Sequence, residues 1–156
     1  MHMSELHGHI TLDGLESAID AWLADARATN PLIVAVDRGE SEIGERRWHV
    51  RLRGEEKEFT TIWLTLGQRT LRYETYMMPA PEENHAALYE HLLRRNDRLV
   101  GAHFSIGVED AVFLRGELPV VSVTEAELDR IIGSMYAYVE QCFGTAIRIG
   151  FASRFG

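Results

Sequence analysis

Cysteine and lysine are nearly absent from this sequence. Cys142 is the only cysteine among 156 residues, which excludes an intrachain disulfide and any metal site built from several thiolates. Lys57 is the only lysine, so arginine supplies almost all of the positive charge. No apolar run approaches the roughly 18 residues that a membrane-spanning helix needs, and the first residues do not have the charged and then apolar pattern of a secretion signal. We therefore expect a cytoplasmic protein without membrane contact.

The charge balance disfavours nucleic acid as a partner. The chain has 24 acidic and 16 basic residues, a net charge of −8, and an acidic surface repels phosphate backbones. The apolar fraction of 46% is typical of a globular protein, and a chain of 156 residues is long enough for one hydrophobic core. We expect a single domain over residues 1–156, with residues 1–10 disordered.

Motifs for catalysis and cofactor binding are also missing. Ser105 and Ser134 lie outside any Gly-x-Ser-x-Gly sequence, the motif that presents the nucleophile in many hydrolases. Gly101, Gly107 and Gly116 do not have the spacing of a phosphate-binding loop. The sequence therefore predicts no catalytic residue, no metal ligand and no cofactor.

The longest regular pattern runs from Thr124 to Ser153 near the end of the chain. The four residues from Thr124 to Glu127 match a capping box, in which the threonine hydroxyl accepts a hydrogen bond from the amide three residues later. Apolar residues then recur at steps of three and four, at Leu128, Ile131, Ile132, Met135, Val139, Cys142, Phe143 and Ala146. The pattern predicts a helix roughly 35–40 Å long, which is enough to cover a sheet.

Two further helices and five strands are predicted before this long helix. Apolar periodicity indicates one helix from Leu12 to Ala28 and another that begins with Glu82 and Glu83 and ends near Asn96. Alternating residues indicate strands over Arg47–Arg53, Phe59–Leu66, Thr70–Met78, Ala102–Val108 and Ala111–Leu118, and the run Leu32–Val36 is a candidate edge strand that we do not count. Short connections require antiparallel neighbours. We expect a two-layer α+β fold of order α-βββ-α-ββ-α, with helices on one face of a five-stranded sheet.

Six segments carry a family resemblance: Leu66–Leu71, Met78–His85, Leu92–Asn96, Leu118–Pro119, Thr124–Asp129 and Gly150–Ser153. They resemble the YbjN-domain family, whose members share the fold of type III secretion chaperones. The likeness covers about two thirds of the chain, and it departs from the family at Glu109–Asp110, where an Asp-Gly pair is expected. The resemblance implies a chaperone-like or regulatory protein that binds a partner protein, commonly as a homodimer. It carries over no catalytic residue.

The outward positions of the strands are the candidate binding surface. If Ile62, Leu64 and Leu66 face the helices, alternation turns Trp63, Arg72, Glu74, Tyr76 and Met78 to the other side, and His49, Arg51 and His103 are candidates to join them. Aromatic, methionine and arginine side chains are enriched in protein interfaces. We predict that Trp63, Arg72, Tyr76 and Met78 bind the partner. A register shift of one residue would reverse this assignment, and the first helix or a second subunit are alternative occupants of the same face.

Two other functions stay open from the sequence. A small-molecule sensor would hold its ligand between the sheet and the long helix. An enzyme would use the acidic and imidazole groups of Glu82, Glu83, His85 and His91, but the six-residue step between the histidines places them on different sides of a helix. A solvated helix end is the simpler interpretation of these groups, and a buried, inert thiol is the simpler interpretation of Cys142.

Overall fold

The computed structural model describes residues 3–40 and 43–155, with side chains given from Leu12 onward. Its elements are α1 (Met3–Thr29), β1 (Ile33–Arg38), β2 (Arg46–Arg53), β3 (Phe59–Leu66), β4 (Thr70–Met78), α2 (His85–Asn96), β5 (His103–Ile106), β6 (Val112–Pro119) and α3 (Glu125–Gly150). The strands pair antiparallel in one sheet with the order β1-β2-β3-β4-β6-β5. The α+β class and, over the described residues, the three helices are confirmed.

The sheet has six strands within the described residues, so the predicted number of five is wrong. The additional strand is β1, which overlaps the short run that the sequence left uncounted. It pairs with β2 from Ile33 opposite Leu52 to Arg38 opposite Trp48. Its first four residues are apolar and only its last two, Asp37 and Arg38, are polar, so alternation alone does not separate it from a loop. The hydrogen bonds to β2 are what make this segment a strand.

The first helix also differs from its prediction at its beginning. α1 begins at Met3, not at Leu12. Residues 1 and 2 lie outside the described residues. Leu12, Leu15, Ile19 and Leu23 are buried in the same core as the sheet, as the periodicity predicts. α1 therefore packs on the inner side of the sheet, against β1 and α3.

The second helix begins later than predicted, at His85. Glu82 and Glu83 are not in its first turn, because both backbone amides donate to the Gly150 carbonyl at the end of α3. The Glu82 carboxylate accepts a 2.6 Å hydrogen bond from Arg154 Nε, and the Glu83 carboxylate accepts hydrogen bonds from the backbone amide and hydroxyl of Ser153. These contacts fasten the turn after α3 to the loop before α2.

The long helix begins where the capping box predicts. The Glu127 amide donates to Thr124 Oγ1 at 3.1 Å, and the helix continues to Gly150. Its buried residues are Leu128, Ile131, Ile132, Met135, Val139, Cys142, Ala146 and Gly150. α3 contacts β3, β4, α1 and α2, so it is the central element of the helical layer.

Strand alternation separates the two faces of the sheet as expected. Ile62, Leu64 and Leu66 are fully buried against the helices, and Trp63 points to the other side. The same alternation buries Trp48, Val50, Leu52, Leu71, Tyr73, Val112 and Leu114. All three described helices pack on this inner face. We call the opposite side the outer face; in the described part of the chain, no helix covers it.

Candidate protein-binding face of the sheet

One row of side chains crosses five strands at the centre of the outer face. The register places His49 opposite Trp63, Trp63 opposite Glu74, Glu74 opposite Arg115 and Arg115 opposite His103. The rings of His49 and Trp63 stack with centroids 5.1 Å apart. Arg115 Nε donates to Glu74 Oε2 at 2.8 Å. Within this row, Trp63 is 46% exposed and lies beside the ion pair of Glu74 and Arg115.

Tyr76 lies in the next row and is 44% exposed. It pairs across strands with Phe113, and the two rings meet edge to face at a centroid distance of 5.7 Å. The Arg115 guanidinium lies 4.5 Å from the centroid of the Phe113 ring. Gly107 provides the space for these groups, because a Cβ atom there would lie 2.8 Å from Arg115 Nη2. The aromatic residues of this face are therefore held in place by cations and by one another.

Arg72 is exposed at the opposite end of the outer face. Its guanidinium donates to Glu45 Oε2 at 2.7 Å, and Arg47 donates to the other oxygen of the same carboxylate at 3.2 Å. A depression of about 470 Å³ lies beside it, lined in part by Trp63, Arg72 and His103. Three of the four predicted partner-binding residues, Trp63, Arg72 and Tyr76, are thus brought together on one exposed face, as the alternation predicts.

The fourth residue, Met78, is fully buried, so its predicted outward orientation is wrong. The register between β4 and β6 shifts between Tyr76 and Met78, which marks a β-bulge. An extra residue at a bulge reverses the alternation beyond it, and both Met77 and Met78 consequently lie in the core. The Met78 methyl group packs near Gly150 at the end of α3.

A group of cations around Phe59 was not predicted as a unit. The Arg51 guanidinium carbon lies 4.0 Å from the centroid of the Phe59 ring, and that of Arg53 lies 5.9 Å from it. Lys57 Nζ donates to the Phe59 carbonyl oxygen at 2.8 Å and lies 5.9 Å from the Tyr76 ring centroid. We call Arg51, Arg53, Lys57, Phe59 and Tyr76 the Phe59 cluster. Of these five residues, the sequence predicted the outward orientation of Tyr76 and named Arg51 as a candidate for the same face.

The turn between β2 and β3 positions this cluster. The Glu140 carboxylate on α3 accepts hydrogen bonds from three consecutive turn amides, those of Glu55 at 2.6 Å, Glu56 at 3.2 Å and Lys57 at 3.1 Å. Gly54 lets the carboxylate approach, since a Cβ atom there would lie 2.8 Å from Glu140 Oε2. Burial and the neighbouring Arg51 lower the pKa of Lys57. The Glu140 carboxylate acts in the opposite direction and offsets only part of this change.

A second exposed surface lies where α2 meets β5. A groove of about 260 Å³ is lined by the mostly apolar residues Tyr89, Leu92, Leu93, Asn96, Phe104, Ser105, Ile106 and Val112. Leu93 is 68% exposed and Ile106 is 50% exposed. β5 is the last strand of the sheet and, among the described strands, pairs only with β6; on its other side the Asn96 side chain bonds the backbone amide and carbonyl of Phe104. We call this groove and strand the apolar edge.

The acidic and imidazole groups that could have indicated catalysis are separated. Glu82 and Glu83 are engaged by the turn after α3, while His85 packs on Tyr89 at a centroid distance of 6.2 Å. Burial and the Arg95 guanidinium lower the pKa of His91. Among the described residues, no group of three or more histidine, cysteine or acidic side chains is placed to hold a metal ion.

Cys142 is buried in α3, as the sequence predicts. Burial raises the pKa of its thiol, which suppresses the reactive thiolate. No helix of the described chain combines the length and the apolar character that crossing a membrane requires.

Comparisons with known proteins identify relatives. A family model, YbjN, with the description "Putative bacterial sensory transduction regulator", matches residues 16–147. An uncharacterized protein of Mycobacterium leprae is 33% identical over 110 residues, which are 70% of this chain and 60% of that protein. An uncharacterized protein of Mycobacterium tuberculosis is 32% identical over 104 residues, 67% of this chain and 57% of that protein. The chain thus spans less than two thirds of the length of these curated relatives.

A solved structure is also similar. A chain in the heterodimeric complex ExoU–SpcU from the type III secretion system of Pseudomonas aeruginosa aligns with a TM-score of 0.48 and 15% identity, over 82% of this chain and 96% of that chain. The family model, by contrast, spans most of the sequence. On that match, the chain belongs to the YbjN family.

Proposed function

We propose that this protein is a non-enzymatic, cytoplasmic, chaperone-like adaptor that binds a segment of another protein on its outer face. The observation that carries the proposal is the exposure of Trp63 and Tyr76 at the centre of a face that no helix of the described chain covers. Aromatic residues and arginine contribute most of the binding energy in many protein interfaces. The outer face supplies both, in a geometry fixed by the strands.

The polar groups of this face suit protein recognition. Arg72 is exposed beside the depression near Trp63 and offers donors to a partner carboxylate or carbonyl. The Glu74–Arg115 pair offers both a carboxylate and a guanidinium within the same row. A partner segment would bury the rings of Trp63 and Tyr76 and find hydrogen-bonding groups on either side of them.

We also propose that the protein forms a homodimer through its apolar edge. Leu93 and Ile106 are more exposed than is usual for large apolar residues, and both line the groove. Two copies that meet through this groove would be related by a two-fold axis, so each copy would present the same surface to the other. A dimer of this kind leaves both outer faces available.

No specific observation favours the other two functions. The sensor would need a ligand between the sheet and α3, but Ile131, Met135 and Cys142 pack there in the hydrophobic core. The family description refers to sensory transduction, and a partner-binding regulator fits those words as well as a ligand sensor does. The enzyme would need groups that converge, and Glu82 and Glu83 are instead engaged by Arg154 and Ser153.

Affinity capture from a lysate of the native host, read by mass spectrometry, tests the proposal. The double variant Trp63→Ala/Tyr76→Ala should lose the partner that the wild-type protein captures. The partner is then purified, and its affinity for both proteins is measured by titration. We expect the double variant to bind at least about tenfold more weakly, because two interface aromatics are removed.

The control is Phe155→Ala, which removes another exposed ring that lies outside the outer face. It should bind the partner as the wild type does. Equal affinity of the double variant and the wild type would overturn the assignment of the outer face.

A further inference from the structure

We infer that the partner segment is acidic and that its carboxylates bind the Phe59 cluster. The inference rests on the proposed function, since it states the chemistry of the segment that binds the outer face. It concerns the end of that face beside the β2–β3 turn, where Arg51 and Arg53 lie against the Phe59 ring and Lys57 bonds the Phe59 carbonyl oxygen.

The cations of the outer face fall into two groups. Arg47, Arg72 and Arg115 each form an ion pair, with Glu45 or with Glu74. The cations of the Phe59 cluster have no such carboxylate partner among the described residues. Arg51 and Arg53 instead lie against the Phe59 ring, and Lys57 is bound to a carbonyl oxygen. This end of the face therefore has positive charge that the described chain does not neutralise by an ion pair.

The acidic residues of the turn lie mostly on the other side. Glu140 is held by the turn amides, below the outer face. The Glu56 carboxylate lies near Gly144 of α3, and Glu55 acts on the pKa of Tyr136 of the same helix. Glu58 forms no ion pair within the described residues. Two acidic groups of the β2–β3 turn, those of Glu55 and Glu56, thus lie toward α3, while Lys57 lies beside the rings of the outer face.

One acidic residue does approach the cluster from the opposite hairpin. Burial is the main cause that raises the pKa of the Tyr76 hydroxyl, and the Glu109 carboxylate adds to it. Glu109 therefore lies near that ring. Glu140 also acts on Lys57 from below the turn, and these two carboxylates do not balance the three cations of the cluster. Burial is the main cause that lowers the pKa of Lys57, and repulsion from the neighbouring Arg51 adds to it. A carboxylate from a partner would relieve this repulsion.

A protein segment fits the cluster better than a single-stranded nucleic acid. Stacking of bases needs free aromatic faces, whereas Arg51 lies over Phe59, and His49 stacks on Trp63. The net charge of −8 also repels a long phosphate chain. A short acidic segment needs only the local cations, which give each carboxylate charge-assisted hydrogen bonds.

A pair of synthetic peptides with a neutral fluorophore tests the inference. In one, glutamate alternates with leucine; in the other, glutamine replaces every glutamate. Fluorescence anisotropy measures the affinity of each peptide for the full chain. We expect the glutamate peptide to bind at least about tenfold more tightly, and this preference to disappear in the variant Arg51→Gln/Lys57→Gln.

The matched control is Arg94→Gln/Arg98→Gln, which removes the same charge from exposed positions on and after α2. It should keep the preference for the glutamate peptide, and thermal unfolding checks that both variants are folded. Equal affinity for the two peptides, no binding of the glutamate peptide, or tighter binding of an oligothymidine strand would each overturn the inference. The proposed function would still stand if capture of the natural partner depended on Trp63 and Tyr76.

Discussion

Trp48 and Trp63 lie on neighbouring strands and on opposite faces of the same sheet. Trp48 is 1% exposed, and its Nε1 donates to Asp20 of α1 at 2.7 Å. Trp63 is 46% exposed, and its neighbours are a histidine ring and an ion pair on the sheet surface. The comparison teaches that the strand face, and not the residue type, decides whether a ring is buried in the core or left exposed.

The largest expected effect is a difference in folding stability between alanine variants of these two tryptophans. Trp48→Ala should lower the free energy of unfolding by about 3–5 kcal/mol, since it leaves a cavity and removes the hydrogen bond to Asp20. Trp63→Ala should change it by no more than about 1 kcal/mol, because nearly half of the side chain is exposed and its removal opens no cavity in the core. Urea unfolding followed by circular dichroism measures both. Similar losses for the two variants would mean that the outer face is structural.

The second prediction applies the same comparison within β4. Met78→Ala should lower the free energy of unfolding by about 2–5 kcal/mol, because the bulge turns this side chain into the core. Tyr76→Ala should lower it by about 1 kcal/mol or less. The same urea titration gives both values. A small effect at Met78 would indicate that the strand continues without a bulge.

The third prediction separates the outer face from the apolar edge. Leu93→Asp should weaken dimerisation by about tenfold or more, because a charge would be buried in an apolar interface. Trp63→Ala/Tyr76→Ala should leave dimerisation unchanged. Sedimentation velocity over a range of protein concentrations measures the dimer in each variant. If the outer-face variant dissociates instead, the outer face is the subunit interface.

The smallest predicted effect lies away from both surfaces, at Glu83. Hydrogen bonds from Ser153 lower the pKa of this carboxyl below its ordinary value of 4.5. The ionised form therefore stabilises the fold above that value, and the stabilisation is lost as the pH falls through the lower pKa of the folded state. Glu83→Gln should weaken this acid dependence. Melting temperatures between about pH 6 and pH 3 measure it, and identical curves would contradict it.

Much of the inner face could be predicted because one buried side fixes the register of a strand. The alternation in β2, β3 and β4 placed Ile62 and Trp63 correctly without any tertiary information. The capping box at Thr124 was equally reliable, because the hydrogen bond it describes is local. These features depend on neighbours within a few residues in the sequence.

Several of the errors involve contacts between distant segments. Met78 is turned by a bulge that depends on pairing with β6. Glu82 and Glu83 look like a helical first turn until the end of α3 binds them. Lys57 lies in a turn whose course is set by Glu140, more than 80 residues later. No periodic pattern reports such contacts, so the Phe59 cluster could not be assembled from the sequence.

The anchoring of the β2–β3 turn by Glu140 also bears on the thermodynamics of binding. A loop that orders only when a partner arrives loses conformational entropy at that moment, and this loss weakens the complex. Here three turn amides are already bound to α3, and the Tyr136 hydroxyl donates to the Arg53 carbonyl at 3.2 Å. The turn is therefore ordered by folding itself. A partner that reaches Lys57 and Phe59 meets a preorganised surface, and more of its contact energy remains as affinity.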